Sequence, residues 1–365
     1  MNLRIEYRAA MKAERLGIPF ALVVKPGEKT PLFFVENPNK SQGCRLLVGS
    51  DFDTFNGFVF NSFELNDKLC AIGIRSELTA KDLLDMDESI IPRQRDCLAP
   101  HNEVTTDYMV YRAQALSIIN SFDDQNQKTV LSHIVSLHTV SNPVEACCKY
   151  FSKHNDCFRY IYYTPQSGIW MGASPELLID YDEASEQLQS MSLAGTIFDE
   201  NEKEWDEKNT LEHNMVTDHI VSVFSRAGLS DISTRKVDLK FGEIRHMCHH
   251  ISAHGKIIAS ELLPKLSPTP ALCGWPRERA YRQIVDTEAH IRGCYGGFVG
   301  VKNSHSMTIY VNLRCAKITP RFIPEIRTRM YDYTLFGGGG LTIHSDPDKE
   351  WHEAKSKINS LISIL

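Results

Sequence analysis

The sequence lacks a long apolar run, a cysteine framework and a strong net charge. No apolar stretch approaches the roughly 20 residues that a membrane-spanning helix needs, and the N-terminus has charges without the apolar run of a secretory signal. The 10 cysteines are scattered without a CxxC pair, so we expect reduced thiols and a cytoplasmic protein. The net charge is −6, with both signs mixed along the chain, which indicates neither nucleic acid nor a membrane as partner.

What remains is an ordinary globular composition, 42% hydrophobic and 24% charged over 365 residues. Segments rich in Val and Phe between turn residues predict strands. They are 20–24, 32–35, 57–63, 129–137, 160–164, 169–173, 176–181, 308–318 and 331–335. Because strands and helices come in blocks without strict alternation, we predict an α+β fold with mostly antiparallel sheets flanked by helices. Residues 1–365 are predicted to form one domain, of which 1–100 are the least informative.

One predicted helix carries a carboxylate on its apolar side. Val216, Ile220 and Val223 recur at helical spacing within residues 202–228, and Gly228 is a stop signal. Glu212 lies four residues before Val216 and continues the apolar stripe. A buried carboxylate is costly unless something pairs with it, and a metal ion is one such partner.

The C-terminal segment also predicts a helix. Asp346 is suited to cap this helix, and Pro347 is suited to its first position. Glu350, Glu353 and Lys357 follow at positions i, i+3 and i+7 along one edge. From periodicity alone, such a charged row is typical of a solvated helix face.

Four consecutive glycines, Gly337–Gly340, precede the C-terminal helix. A glycine run inside a domain predicts a tight turn or a close approach of the backbone to another group. Beside a helix N-terminus, its amide N–H groups are suited to an anionic ligand, although a plain glycine loop explains the run almost as well.

Eight blocks of sequence, taken in order, resemble the chorismate-utilising enzymes. They span about the last two thirds of the chain with the spacing of that family. The blocks are KTVLSH (128–133), GASPELL (172–178), LAGT (193–196), KNTLEHNMV (208–216), LSPTPALCGWPRERA (266–280), EAHIRGCYGGFVG (288–300), VNLRCA (311–316) and GGGGLTIHSDPDKEWHEAKSK (337–357). The family includes isochorismate, salicylate, anthranilate and aminodeoxychorismate synthases.

The resemblance implies a magnesium site beside a chorismate substrate. Family members bind Mg²⁺ with carboxylates at the positions of Glu212 and Glu353, and Glu350 is close enough in sequence to act through a water. Mg²⁺ prefers hard oxygen ligands and usually takes one or two protein carboxylates together with its substrate. We therefore expect Mg²⁺ as the cofactor.

The resemblance also implies a set of substrate contacts. Arg314 matches the family arginine that pairs with the enolpyruvyl carboxylate, a geometry that suits a planar guanidinium. The remaining contacts match Gly195, Thr196, Gly338 and Lys357.

Three positions distinguish the reactions of the family. Lys128 matches the general base that activates water where ammonia-using members carry glutamine, and a lysine can accept a proton only if burial or neighbouring charges lower its pKa. Glu176 matches the general acid that protonates the departing C4 hydroxyl. Ala194 replaces the lysine nucleophile of many aminodeoxychorismate synthases.

These residues together imply an isochorismate synthase, whose product feeds menaquinone or siderophore synthesis in family members. A salicylate synthase, which also eliminates pyruvate from isochorismate, is the second interpretation and is ranked lower because the chain is short for that subgroup. Since water is the nucleophile in both, we expect no glutaminase subunit, and a monomer or homodimer.

A few positions depart from the family pattern. Ser267 stands in place of a histidine, His133 in place of an arginine, and Phe298 in place of a proline. The hydrogen bond of the family histidine is therefore altered, while Lys128 and Glu176 are retained.

A histidine-rich stretch indicates a different class of protein. His246, Cys248, His249, His250 and His254 lie within nine residues, a composition that suits zinc or nickel, and two i, i+4 spacings suit a helix. No second ligand cluster follows at finger-like spacing, and the family has an ordinary strand here. The alternative is a metal-binding or regulatory protein, and unrelated surface and core histidines also account for the stretch.

Overall fold

The structure is a computed structural model that describes residues 4–40, 44–90, 103–123, 127–197, 205, 207–241, 244–324 and 327–365. Its strands are β1 Phe20–Val24, β2 Leu32–Val35, β3 Arg45–Val48, β4 Gly57–Phe60, β5 Cys70–Ile74, β6 Lys128–Thr139, β7 Phe158–Thr164, β8 Gly168–Ser174, β9 Leu177–Asp182, β10 Gln187–Ile197, β11 Ser230–Phe241, β12 Ile244–His254, β13 Gly274–Trp275, β14 Phe298–Lys302, β15 Ser306–Val311, β16 Cys315–Ile323 and β17 Thr328–Leu341. Its helices are α1 Ile5–Leu16, α2 Ser50–Asp53, α3 Ala80–Asp85, α4 Tyr108–Asn120, α5 Pro143–Lys153, α6 Glu207–Arg226, α7 Ala259–Leu266, α8 Arg277–Thr287 and α9 Pro347–Ile362.

Two large antiparallel sheets contain these strands. Sheet A has eight strands in the order β13-β6-β17-β16-β8-β7-β1-β2, and sheet B has nine in the order β11-β12-β10-β9-β15-β14-β4-β5-β3. The predicted α+β class with mostly antiparallel sheets and flanking helices is confirmed. Among the described residues, no helix is long and apolar enough to cross a membrane.

Both faces of sheet A are buried, which explains its unbroken apolar strands. In β1, Ala21 and Val23 belong to a core shared with sheet B, while Phe20 and Leu22 belong to a second core on the other face. Successive side chains of a strand point to opposite faces, so a strand covered on both sides needs apolar residues at every position. The second core is completed by residues of α1, α5 and α9.

Helix α6 contributes to the core between the sheets. Val216, Ile220 and Phe224 are buried there, as their spacing predicts. The helix ends at Arg226, and Gly228 adopts a φ of 76°, a left-handed conformation that glycine tolerates without a steric penalty. This helix places Glu212 near the ends of sheet A.

Helix α9 begins as predicted. The Asp346 carboxylate accepts hydrogen bonds from the backbone N–H groups of Asp348 and Lys349, and Pro347 occupies the first helical position. Ala354 and Ile358 are fully buried on the face that packs against sheet A. The helix therefore lies along β17 with its charged edge next to the glycine run.

Three sequence predictions differ from the structure. The glycine run forms no turn, because Gly337–Gly340 continue β17 and pair with β6. The segment 308–318, predicted as one strand, is two strands separated by the turn 312–314. The histidine-rich stretch is strand β12, held between β10 and β11, so its i, i+4 spacings do not align side chains as in a helix.

Candidate active site

One cleft gathers side chains from α6, α9 and sheet A and from the turns between strands. Its lining residues are Val130, Pro175, Glu176, Leu193, Glu212, Ala271, Leu272, Tyr295, Leu313, Arg314, Phe336, Gly337, Gly338, Gly340, Glu353 and Lys357. The predicted site residues among them are Glu176, Glu212, Arg314, Gly338, Glu353 and Lys357. Residues separated by up to 181 positions in the chain therefore meet at one place.

Lys128 contacts this cleft from the first position of β6. Its side chain is fully buried, and its Nζ lies 2.9 Å from Oε1 of Glu212, so the two form an ion pair. The pair lacks hydrogen-bond alignment, and Nζ has no aligned acceptor among the described residues. An ammonium or amine group has several hydrogen-bonding positions, so Lys128 retains the capacity to bind a water molecule in the cleft.

Glu176 lies in the short connection between β8 and β9. The residue is 2% exposed, and its Oε1 has no hydrogen-bond partner among the described residues. Burial raises the pKa of Glu176 to about 8, and the nearby charges of Lys128, Lys357 and Arg314 only partly oppose this shift. The carboxyl group is therefore mostly protonated at neutral pH, which is the state of a general acid.

Arg314 ends the turn that divides the predicted strand 308–318. Its φ of 48° is in the left-handed region, which is uncommon for a residue with a side chain. This conformation interrupts the sheet and lets both Leu313 and Arg314 line the cleft. The strand break is therefore what brings the guanidinium to the site.

The glycine run makes room on both faces of β17. On the cleft side, a Cβ on Gly340 would lie 2.1 Å from Oε1 of Glu212, and one on Gly338 would lie 2.8 Å from the Tyr295 hydroxyl oxygen. On the α9 side, a Cβ on Gly337 would lie 2.4 Å from the carbonyl oxygen of Ala354. The predicted close approach of the backbone is thus confirmed, although the predicted turn is wrong.

The charged edge of α9 faces the cleft at two residues. Lys357 Nζ lies 2.9 Å from Oε1 of Glu353, one helical turn earlier, and donates a hydrogen bond of 3.0 Å to the carbonyl oxygen of Gly338. Both side chains are about one quarter exposed, at 25% and 24%. The solvated-face interpretation of this row is therefore wrong for these two residues.

Glu350 lies apart from the other predicted metal ligands. It is 3% exposed, and its Oε2 would lie 2.9 Å from a Cβ on Gly339. Because adjacent residues of a strand face opposite sides, Gly339 and Gly340 place Glu350 and Glu212 on opposite faces of β17. Glu350 is absent from the cleft wall, so its role at a metal ion stays a prediction.

Gly195 and Thr196 belong to β10, directly after Leu193, which lines the cleft. The register of β10 against β12 shifts between Ala194 and Thr196, which indicates a bulge at Gly195. The side chains of residues 194–197 lie outside the part of the chain that can be described, so the contacts predicted for this pair stay predictions.

A family model described as chorismate binding enzyme matches residues 65–365. The chain belongs to this family. The match covers every predicted site residue, from Lys128 to Lys357, and both walls of the cleft.

Curated relatives and solved structures agree with this membership. The isochorismate synthase EntC of Escherichia coli strain K12 is 27% identical over 279 residues, which are 72% of this chain and 67% of that protein. The isochorismate synthase MenF of Haemophilus influenzae is 27% identical over 323 residues, 84% of this chain and 70% of that protein. The solved structure of MenF, the menaquinone-specific isochorismate synthase of Escherichia coli, superposes with a TM-score of 0.73 at 17% identity, covering 98% of this chain and 91% of that chain, which shows the shared fold.

Two parts of the site were missed by the sequence analysis, although both lie within one block shared with the chorismate binding enzymes. Tyr295 lines the cleft and stacks on Phe336, with ring centroids 5.2 Å apart. Behind it, Arg292 donates to both carboxylate oxygens of Glu288 and to the carbonyl oxygens of Leu272 and Val130. Arg292 thereby joins two walls of the cleft.

Two departures from the family pattern lie beside the cleft and outside its lining. His133 is fully buried, and its ring lies 4.5 Å from that of Trp351 on α9. Burial lowers the pKa of His133 to about 4, so its ring is neutral at neutral pH. Ser267 is 6% exposed at the end of α7. Neither residue contributes to the cleft wall.

The histidine-rich stretch does not form a metal centre in the described part of the chain, where no group of three or more His, Cys, Asp or Glu side chains could hold an ion. His249 instead contacts a ring nitrogen of His213 on α6. The side chain of His246 lies outside the described residues. The histidines that are described therefore belong to the packing of β12.

A wider cleft, with a volume of about 950 Å³, lies near α2, α7 and the β14–β15 turn. Its most buried cation, Lys302, donates to the carbonyl oxygens of Asp53 and Phe55, and the Asp53 carboxylate accepts hydrogen bonds from Ser260. These groups already have protein partners. We therefore place the chemistry in the narrower cleft, where Glu176 and Lys128 have no aligned partner.

Proposed function

We propose that this protein is an isochorismate synthase, an isomerase that converts chorismate to isochorismate. Water enters at C2 of the ring, the double bonds shift, and the hydroxyl group leaves C4. The relatives named isochorismate synthase support this reaction. The observation that carries it is a buried, protonated Glu176 in the same cleft as a buried Lys128.

Lys128 acts as the general base in this proposal, and Glu176 acts as the general acid. The amine of Lys128 takes a proton from the attacking water while the carboxyl group of Glu176 gives its proton to the departing hydroxyl, which leaves as water. One proton is taken up and one is released, so the ring gains and loses one oxygen without a net change in charge. The two side chains reset by exchanging a proton through solvent or product.

The substrate carries two carboxylates, and we assign cationic and backbone groups to them. Arg314 binds the enolpyruvyl carboxylate, since a guanidinium matches a carboxylate with two parallel hydrogen bonds. Lys357 lies at the edge of the glycine run, where it already donates to Gly338. We assign Gly195, Thr196 and Gly338 to the remaining substrate contacts, as the resemblance implies.

The donor set of the cleft fits a magnesium ion. Glu212 and Glu353 present hard oxygen ligands to one cleft, which is the number of protein carboxylates that Mg²⁺ usually takes together with waters and substrate. When bound, the ion supplies positive charge for the ring carboxylate of chorismate and orients the ring. In its absence the same carboxylates are paired with Lys128 and Lys357.

The nucleophile assignment sets the expected partner. Because Lys128 activates water, the reaction needs neither ammonia nor a glutaminase subunit. We expect the purified chain to be active alone, and added ammonium salts to leave the product unchanged.

Chromatography of the products from chorismate and Mg²⁺ tests this function. We expect a reversible mixture of chorismate and isochorismate that disappears when the metal is chelated. Salicylate together with pyruvate would replace the proposal with a salicylate synthase, and anthranilate formed from added ammonia would replace the water mechanism. No conversion under any of these conditions would contradict the proposal.

A further inference from the structure

The turn between β15 and β16 carries a strained residue of the site. Asn312, Leu313 and Arg314 form it, and Arg314 holds a φ of 48° that a residue with a side chain rarely adopts. Such a conformation persists only where the surroundings over-determine it. The surroundings of this turn are therefore part of how Arg314 reaches the cleft.

Two buried tyrosines contact the turn from behind. The hydroxyl of Tyr160 on β7 donates to Oδ1 of Asn312, and the hydroxyl of Tyr150 on α5 donates to the carbonyl oxygen of Arg314 at 3.2 Å. Both tyrosines are fully buried, as is Asn312. The backbone N–H of Ala173 also donates to the Arg314 carbonyl oxygen, at 3.3 Å. Each end of the turn is thus fixed by a phenol hydroxyl.

The neighbouring strand leaves space for one of these hydroxyls. A Cβ on Gly172 of β8 would lie 2.4 Å from the Tyr160 hydroxyl oxygen. Any larger residue at 172 would displace the phenol from Asn312. This glycine belongs to the block GASPELL, which also supplies Glu176.

We propose that Tyr160 and Tyr150 are positioning residues that hold the Asn312–Arg314 turn and so direct the Arg314 guanidinium into the cleft. This inference rests on the proposed role of Arg314 as the ligand of a substrate carboxylate. The tyrosines themselves do not line the cleft. Their hydroxyls therefore act on substrate binding through Arg314, and the reacting groups Lys128 and Glu176 are unaffected.

Tyr160→Phe tests the inference by removing one hydroxyl without changing the packed ring. Asn312 then loses its buried donor, and the turn can relax. We expect KM for chorismate to rise on the order of 10-fold while kcat changes by less than about 2-fold, which is the pattern of a lost binding interaction. Tyr162→Phe is the matched control, because Tyr162 lies on the same strand, is fully buried, and has a hydroxyl without a partner among the described residues.

A double-mutant cycle distinguishes positioning from a general structural effect. In an Arg314→Met background, Tyr160→Phe should raise KM no further, because the guanidinium it positions is gone. An equal rise in the control Tyr162→Phe, or full additivity with Arg314→Met, would overturn the inference.

Binding of chorismate, measured by calorimetry in a Glu176→Gln background, separates this inference from the proposed function. A wild-type protein that makes isochorismate, combined with an unchanged Kd in Tyr160→Phe, would overturn the positioning role alone. A wild-type protein that neither binds nor converts chorismate would overturn both. A Kd that weakens on the order of 10-fold in Tyr160→Phe alone would support the inference.

Discussion

Glu176 and Glu288 are two buried glutamates near the same cleft, and their pKa values shift in opposite directions. Glu176 is 2% exposed, and burial raises its pKa to about 8. The side chain of Glu288 is 3% exposed, and burial alone would raise its pKa as well, but the charge and hydrogen bonds of Arg292 hold that pKa below its ordinary value. Equal burial therefore does not set the charge of a carboxylate.

The difference lies in the partners that each carboxylate has. Glu288 accepts hydrogen bonds from Arg292 and from the backbone N–H and hydroxyl of Ser132, so its charge is satisfied inside the protein. Glu176 faces the cleft with one oxygen lacking any partner among the described residues. The paired glutamate fixes the walls of the site, and the unpaired one is left to do chemistry.

Glu176→Gln removes the acid and keeps the shape. We expect kcat to fall by about 10²- to 10⁴-fold, the usual contribution of a general acid. Because the native carboxyl group is mostly protonated at neutral pH, glutamine replaces a neutral group, and the thermal stability should be unchanged or higher. Steady-state kinetics and calorimetric melting provide the two measurements, and a variant with wild-type kcat would show that another group protonates the leaving hydroxyl.

Arg292→Met removes the partner of the other glutamate. It leaves Glu288 buried without its counter-ion, which we expect to lower the free energy of unfolding by about 3–5 kcal/mol in urea denaturation. The control is Arg279→Met, since Arg279 pairs with Asp123 at the surface, where both side chains are 42% and 51% exposed. That change should cost less than about 1 kcal/mol. Equal losses in the two variants would mean that the buried pair contributes no more than a surface pair.

The pH dependence of stability should separate the two glutamates. Between 4.5 and 8, the ordinary and folded pKa values of Glu176, its carboxyl group is ionised in the unfolded chain and protonated in the folded one. Stability from this group is therefore complete below pH 4.5 and is lost as pH rises through about 8, by a few kcal/mol in total (~1.4 per pKa unit). Glu288 has the opposite sign, since its stabilisation is present above pH 4.5 and is lost as pH falls through its lowered pKa.

Urea denaturation at intervals across this range measures both effects. The advantage of Glu176→Gln over the wild type should grow as pH rises, whereas the deficit of Glu288→Gln should shrink as pH falls below 4.5. Parallel curves for the wild type and Glu176→Gln would contradict the raised pKa.

Strand positions could largely be predicted from the sequence, because both faces of sheet A are covered. The apolar runs at 20–24 and 169–173 appear as β1 and β8 nearly as predicted. The glycine run was misassigned because glycine is depleted in strands. Its place in β17 depends on Glu212, Tyr295 and α9, which crowd both faces and which no local pattern reveals.

The residues of the site could be named from the resemblance, but their physical states could not. Lys128 and Glu212 lie on β6 and α6, so their 2.9 Å contact exists only in the folded chain. The strand break at Arg314 is set by Tyr150, which is 164 residues away in sequence. The raised pKa of Glu176 arises from burial, and the position of Glu350 behind β17 follows from the pleat of that strand. Each of these is a consequence of tertiary packing.

The origin of the new hydroxyl oxygen tests the central claim most directly. Chorismate and Mg²⁺ are incubated with the protein in water enriched in oxygen-18, and the isochorismate is analysed by mass spectrometry with fragmentation that locates the label. Attack by a water bound near Lys128 predicts one labelled oxygen, at C2. Unlabelled isochorismate would mean that the C4 hydroxyl moves within the molecule, and would contradict the roles of Lys128 and Glu176.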